Sequence, residues 1–163
     1  MRALLATLSL LATLLLACGA RAVSDGGMPL GSAGTAGLGP RVIFPSVTVS
    51  VELARTEAEH TKGLGGHAPL GEREGMLFIF DHPALYAFWM KGMTFPLDIL
   101  WIEGDKVVHL EQNLPAPPPG AADSQLPVYT PAVPAQYVLE VNAGFARRYG
   151  ILPGTSATIA GIS

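Results

Sequence analysis

Phe88-Trp89-Met90-Lys91-Gly92-Met93-Thr94-Phe95-Pro96-Leu97-Asp98-Ile99-Leu100-Trp101-Ile102 holds both tryptophans of the chain, and sets one cation and one carboxyl group inside an otherwise apolar run. An unmatched buried charge costs on the order of several kcal/mol. Lys91 and Asp98 are therefore expected at strand ends or in a pair. Gly92 to Pro96 turns the chain between a strand at about 86–91 and another at 97–102. Glu103-Gly104-Asp105-Lys106 forms a tight turn, so 97–102 and 107–112 read as a β-hairpin.

Upstream of this stretch, Val47, Val49, Val51 and Leu53 alternate with Thr48, Ser50 and Glu52, which predicts a half-buried strand within 42–54. Thr56 with Glu59 three residues on is a capping-box pattern opening a short helix that Gly63-Leu64-Gly65-Gly66 ends. A helix this short is stable only when docked on the sheet. Met76 to Phe80 is an apolar run bounded by Gly75 and Asp81-His82-Pro83, as in a strand covered on both faces.

Downstream, Leu114 to Pro134 carries seven prolines, which rules out a helix or a central strand there. This long loop, with Tyr129 as its aromatic, reads equally as a lid over a cleft or as a surface wrap. Tyr137 to Val141 returns to strand character. Asn142 then suits an N-cap for a helix over 143–149, with Gly150 at its C′ position, and 155–159 closes the fold as a strand. About six or seven strands, two short helices and no repeated βαβ unit predict an α+β fold, a mostly antiparallel sheet or small β-barrel.

The first residues read as an address. Arg2 precedes an apolar run from Leu4 to Leu16, too short to span a bilayer comfortably, and so a signal peptide over 1–17 is expected. Leu15-Leu16-Ala17-Cys18 is similar to a bacterial lipobox, and Cys18 is the single cysteine of the chain, the alternative being an incidental Cys in an ordinary secretory signal. Acylation of Cys18 would hold the protein on a membrane lipid surface without a spanning helix. Residues 18–40 are rich in Gly, Ala and Ser, as a flexible linker is, leaving 41–163 as the folded domain. Hydrophobic content of 49% excludes disorder throughout, and a net charge of −3 without a basic stripe argues against nucleic acid as partner.

Four quoted motifs, Gly75-Met76-Leu77-Phe78, Phe88-Trp89-Met90-Lys91, Pro96-Leu97-Asp98-Ile99 and Tyr137-Val138-Leu139-Glu140-Val141 with Ala143-Gly144, resemble the signature of the DUF192 (UPF0127) family over about residues 45–160. That family is one of uncharacterised function, so the resemblance implies a fold more than an activity. Where the family usually has Asn-Thr after Trp-Met-Lys, this chain has Gly92-Met93-Thr94.

Trp89, Lys91 and Asp98 form the leading candidate site, a groove for a small polar ligand with Trp89 as its stacking wall. The alternative is a Lys91–Asp98 pair that locks the turn. Glu140, set among Val138, Leu139 and Val141, reads as a ligand-binding carboxyl or general base, or as a solvent-facing or Arg-paired strand residue. An envelope hydrolase acting through Asp98 or Glu140 and an interaction module without a small ligand are the competing functions. The four histidines show no metal-ligand spacing, and nucleophile-elbow, P-loop and dinucleotide motifs are absent, so neither metal nor cofactor is expected.

Overall fold

The computed structural model describes residues 39–163. The signal peptide, Cys18 and nearly all of the linker lie outside the described residues. Nine strands and two α-helices follow in the order β1 (Arg41–Ile43), β2 (Thr48–Ala54), α1 (Glu57–Lys62), β3 (Glu74–Ala84), β4 (Phe88–Trp89), β5 (Leu97–Glu103), β6 (Lys106–Leu114), β7 (Val128–Tyr129), β8 (Ala135–Asn142), α2 (Phe145–Tyr149) and β9 (Thr158–Ala160), with a single 3-10 turn (Asp123–Gln125) between β6 and β7. Seven strands make one sheet in the order β6-β5-β8-β3-β2-β1-β9, and β4 and β7 make a separate two-stranded ribbon. Only β2 and β3, joined through α1, run parallel. The α+β class holds, and the sheet is a curled half-barrel. Its two edges approach where Val107 N–H donates to Thr155 O at 2.9 Å and Gly154 N–H to Val107 O at 2.7 Å.

The alternation of strand residues sorts the core into two layers. Leu77, Leu100, Ile102, Leu139 and Val141 pack on one face with Val42, Val49 and Phe145. Met76, Phe78, Ile99, Trp101 and Val138 pack on the other with Leu64, Met90 and Met93. Successive residues of a strand point to opposite faces. Asp98, in step with Leu100 and Ile102, therefore belongs to the first layer. Glu140, in step with Val138, belongs to the second. Gly75 sits beside Glu140 on the neighbouring strand, where an added Cβ would lie 2.7 Å from the Glu140 carbonyl oxygen, so any side chain there forces β3 and β8 apart.

Four expectations are corrected by these elements. The single strand over 42–54 is a hairpin, β1 and β2, because Pro45 has no N–H for a ladder and Phe44 to Val47 closes a turn. The Asp81-His82-Pro83 stretch does not end β3. It is absorbed in a register shift between Ile79 and Ala84 against β8. The strand expected at 86–91 shrinks to Phe88–Trp89. Helix α2 begins at Phe145 behind a left-handed Gly144 with φ 81°, so Asn142 is not its cap. Asn142 instead donates from its side chain to the carbonyls of Leu70 and Gly71. The capping box of α1 forms as expected, Glu59 N–H donating to Thr56 Oγ1 and the Thr56 N–H to the Glu59 carboxyl.

Candidate ligand-binding cleft

On the second face of the sheet, α1 and the glycine-rich loop after it stand opposite β4 and leave a cleft of about 220 Å³ between them. Gly66 N–H donates to Gly92 O at 3.0 Å, tying that loop to the turn after β4. Glu140 lines the cleft from β8, and Phe78 and Phe80 from β3, with Phe88 and Trp89 opposite. The rings brace one another. Phe78 and Phe88 meet edge to face at 4.9 Å, Phe80 stacks on Tyr86 at 3.5 Å, and His60 of α1 lies 4.4 Å from Phe80. Offset and edge-to-face contacts of this kind add about 0.5–1.5 kcal/mol each beyond the area they bury. The His60 ring is also fixed by its Nε2, 3.0 Å from Ala54 O.

Glu140 is the unusual member. It is 5% exposed, and its Oε2 is buried without a hydrogen-bond partner. Buried polar groups are as a rule satisfied, and an exception calls for a specific reason. With no donor to offset the loss of water, burial pushes the carboxyl up to about 8. Near neutral pH the group is mostly a protonated acid, able to donate one hydrogen bond and accept others.

Lys91 stands at the rim and does not meet Asp98. Its Nζ lies 2.6 Å from Asp123 Oδ2 and 5.1 Å from the centre of the Trp89 ring. Half-exposed ion pairs contribute about 0–1 kcal/mol. The contact places the Pro-rich segment more than it stabilises the fold. That segment also joins β4 through β7, Phe88 pairing with Tyr129 and Trp89 with Val128. It is thus fastened beside the Trp89 edge of the cleft.

Asp98 has another task. It is fully buried on the opposite face, where Oδ1 accepts from the N–H groups of Asn113 at 2.8 Å and Gly144 at 3.1 Å, and Oδ2 from Ala146 N–H at 2.9 Å. A carboxyl from β5 thereby satisfies orphan donors at the start of α2, the work expected of Asn142. It also holds Asn113 of β6, a residue with φ 54°. Asp98 takes no part in the cleft.

Of the four candidate residues, the structure brings together Trp89, Lys91 and Glu140 and sets Asp98 apart. The sequence reading missed His60, Phe78, Phe80 and Phe88. The signal was present in β3, where Phe78 and Phe80 two apart share a face. Among the described residues no group of three His, Cys, Asp or Glu is placed to hold a metal ion. No helix among them is long and apolar enough to cross a membrane.

Sheet order and cleft together define a small α+β domain with an aromatic pocket floored by one buried acid. The chain belongs to the DUF192 family, described as "Uncharacterized ACR, COG1430", whose model matches residues 43–159. Two solved structures are similar. A proposed transcription regulator from Sinorhizobium meliloti 1021 is 31% identical, with a TM-score of 0.63 over 76% of this chain and 93% of that one. A protein of unknown function from Novosphingobium aromaticivorans DSM 12444 is 36% identical, with a TM-score of 0.62 over 73% of this chain and 83% of that one. No curated protein matches.

Proposed function

We propose that this protein is a binding domain that takes one small molecule, apolar in body and polar at one end, into the cleft floored by Glu140. The observation that carries the reading is a buried glutamate, one of its oxygens unpartnered, that lines an aromatic-walled concavity. A fold that keeps an unsatisfied buried acid sacrifices stability at that point, and sites that recognise ligands are where such sacrifices concentrate. Binding is favoured over turnover because Asp98, the other buried acid among the described residues, is on the far face and fully engaged by backbone donors.

The test is a fragment screen by amide NMR on the folded domain. Hits of suitable shape should perturb residues of β3, β4 and β8 around Phe78, Trp89 and Glu140, and quench Trp89. A diverse set of cationic, neutral and anionic fragments that all leave those resonances unmoved would remove the reading.

The lipid tether belongs to the same proposal and rests on the lipobox-like Leu15-Leu16-Ala17-Cys18. Acylation at Cys18 would make this an extracytoplasmic domain carried on a membrane surface. Cys18→Ser is expected to move the protein from the membrane fraction to the soluble fraction of its host. Retention in the membrane at wild-type levels would refute the tether and leave the cleft untouched.

A further inference from the structure

Resting on the binding reading above, we infer that the polar end taken by the cleft is an organic ammonium group, its N–H donating to the Glu140 carboxyl while its carbon body lies against Phe78, Phe88 and Met93. Glu140 is 95% buried by the complement of its 5% exposure, and its Oε2 has no donor within the protein. A ligand can meet the orphan oxygen either as an acceptor from the acid or as a donor to the carboxylate, and of the two only an ammonium donor also gains from the aromatic walls of the cleft. Phe78, Phe80, Phe88 and Trp89 line the same cleft, and a cation seated over an aromatic face is attracted by the ring quadrupole, more strongly as water is excluded.

The protein's own cations do not fill the role. Lys62 and Lys91 line the cleft but are exposed, and Lys91 is engaged by Asp123 and the Trp89 ring. Glu57 also lines the cleft, so Lys62 and Lys91 are offset by Glu57 and Asp123 and the rim carries no net charge against a cation. The cleft, of about 220 Å³, suits a small ligand.

The arrangement links binding to a proton. The empty cleft holds Glu140 as the acid, and a bound ammonium makes the carboxylate the better partner. The carboxyl O–H bond then breaks, its electron pair stays on the oxygen, the proton leaves to solvent, and the ammonium keeps its own protons. Affinity for an ammonium should accordingly rise about tenfold per pH unit up to about pH 8 and then level off. A neutral alcohol of the same shape would show the opposite, binding best to the acid and weakening above about pH 8. The other titratable groups lining the cleft are Glu57, His60, Lys62, Tyr86 and Lys91, with Asp123 against Lys91.

The experiment is calorimetry on the folded domain with benzylammonium and benzyl alcohol, at about pH 6, 7 and 8, in buffers of different ionisation enthalpy. Benzylammonium is expected to bind with the rising pH profile and to release about one proton near pH 7. Glu140→Gln is expected to lose the release and to weaken binding more than tenfold. Proton release by the wild type decides the matter even if that variant folds poorly. Equal or tighter binding of benzyl alcohol, or benzylammonium binding without proton release, would overturn the ammonium assignment while the cleft reading stands. Silence toward both probes together with an empty fragment screen would overturn both.

Discussion

Between about pH 5 and pH 8 the wild-type domain is expected to lose about 3–4 kcal/mol of unfolding free energy, and Glu140→Gln is expected to abolish most of that loss. In the unfolded chain the Glu140 carboxyl gives up its proton near its ordinary 4.5, whereas in the folded protein it keeps the proton up to about 8. Across that window the folded form binds more protons than the unfolded form, so stability falls as pH rises. The contribution is fully present below about 4.5 and gone above about 8. Each unit of separation is worth about 1.4 kcal/mol. Small domains are stable by roughly 5–15 kcal/mol in all, so the effect is a large share of the total. Urea unfolding of both proteins across this range measures it, and parallel pH profiles for wild type and variant would show that Glu140 does not titrate in this way.

Asp98→Ala should cost on the order of 4 kcal/mol at any pH near neutral. Truncation leaves the N–H groups of Asn113, Gly144 and Ala146 without their acceptor in a site closed to water. Each buried orphan costs about 1–3 kcal/mol. Because the three donors come from β6, the left-handed Gly144 and the first turn of α2, the loss should be local before it is global. Amide exchange at Ala146 should accelerate well before exchange at Leu139 in β8. Asp98→Asn retains one acceptor oxygen and should lose less. A variant with wild-type stability and unchanged exchange at Ala146 would contradict the clamp.

What could be read from the sequence follows from where the physical signal is local. The capping box at Thr56 and Glu59, and the hairpin around Glu103-Gly104-Asp105-Lys106, depend on residues a few positions apart, and both form. The β1–β2 turn was also local, since Pro45 marks it, but the period-two pattern after Val47 drew it into the strand. Asp98 failed differently. Its partners are three backbone N–H groups, and a backbone donor leaves no mark in the residue order. Its step with Leu100 and Ile102, opposite to Trp101, did hold the clue that it faces away from Trp89's side of the sheet. Glu140 was hardest to place, because Val138, Leu139 and Val141 make both faces of β8 apolar. Alternation then cannot distinguish a wet face from a dry one, and the absence of a hydrogen-bond partner is visible only in three dimensions.

One pairing in the sheet reaches beyond the cleft. Arg41 of β1 and Ala160 of β9 are neighbours across an antiparallel ladder. The polypeptide therefore enters and leaves this domain side by side, and its backbone nearly closes into a loop. In topological terms the order in which the strands are numbered is one cut through a circle, and the cleft lies between segments that such a cut leaves joined.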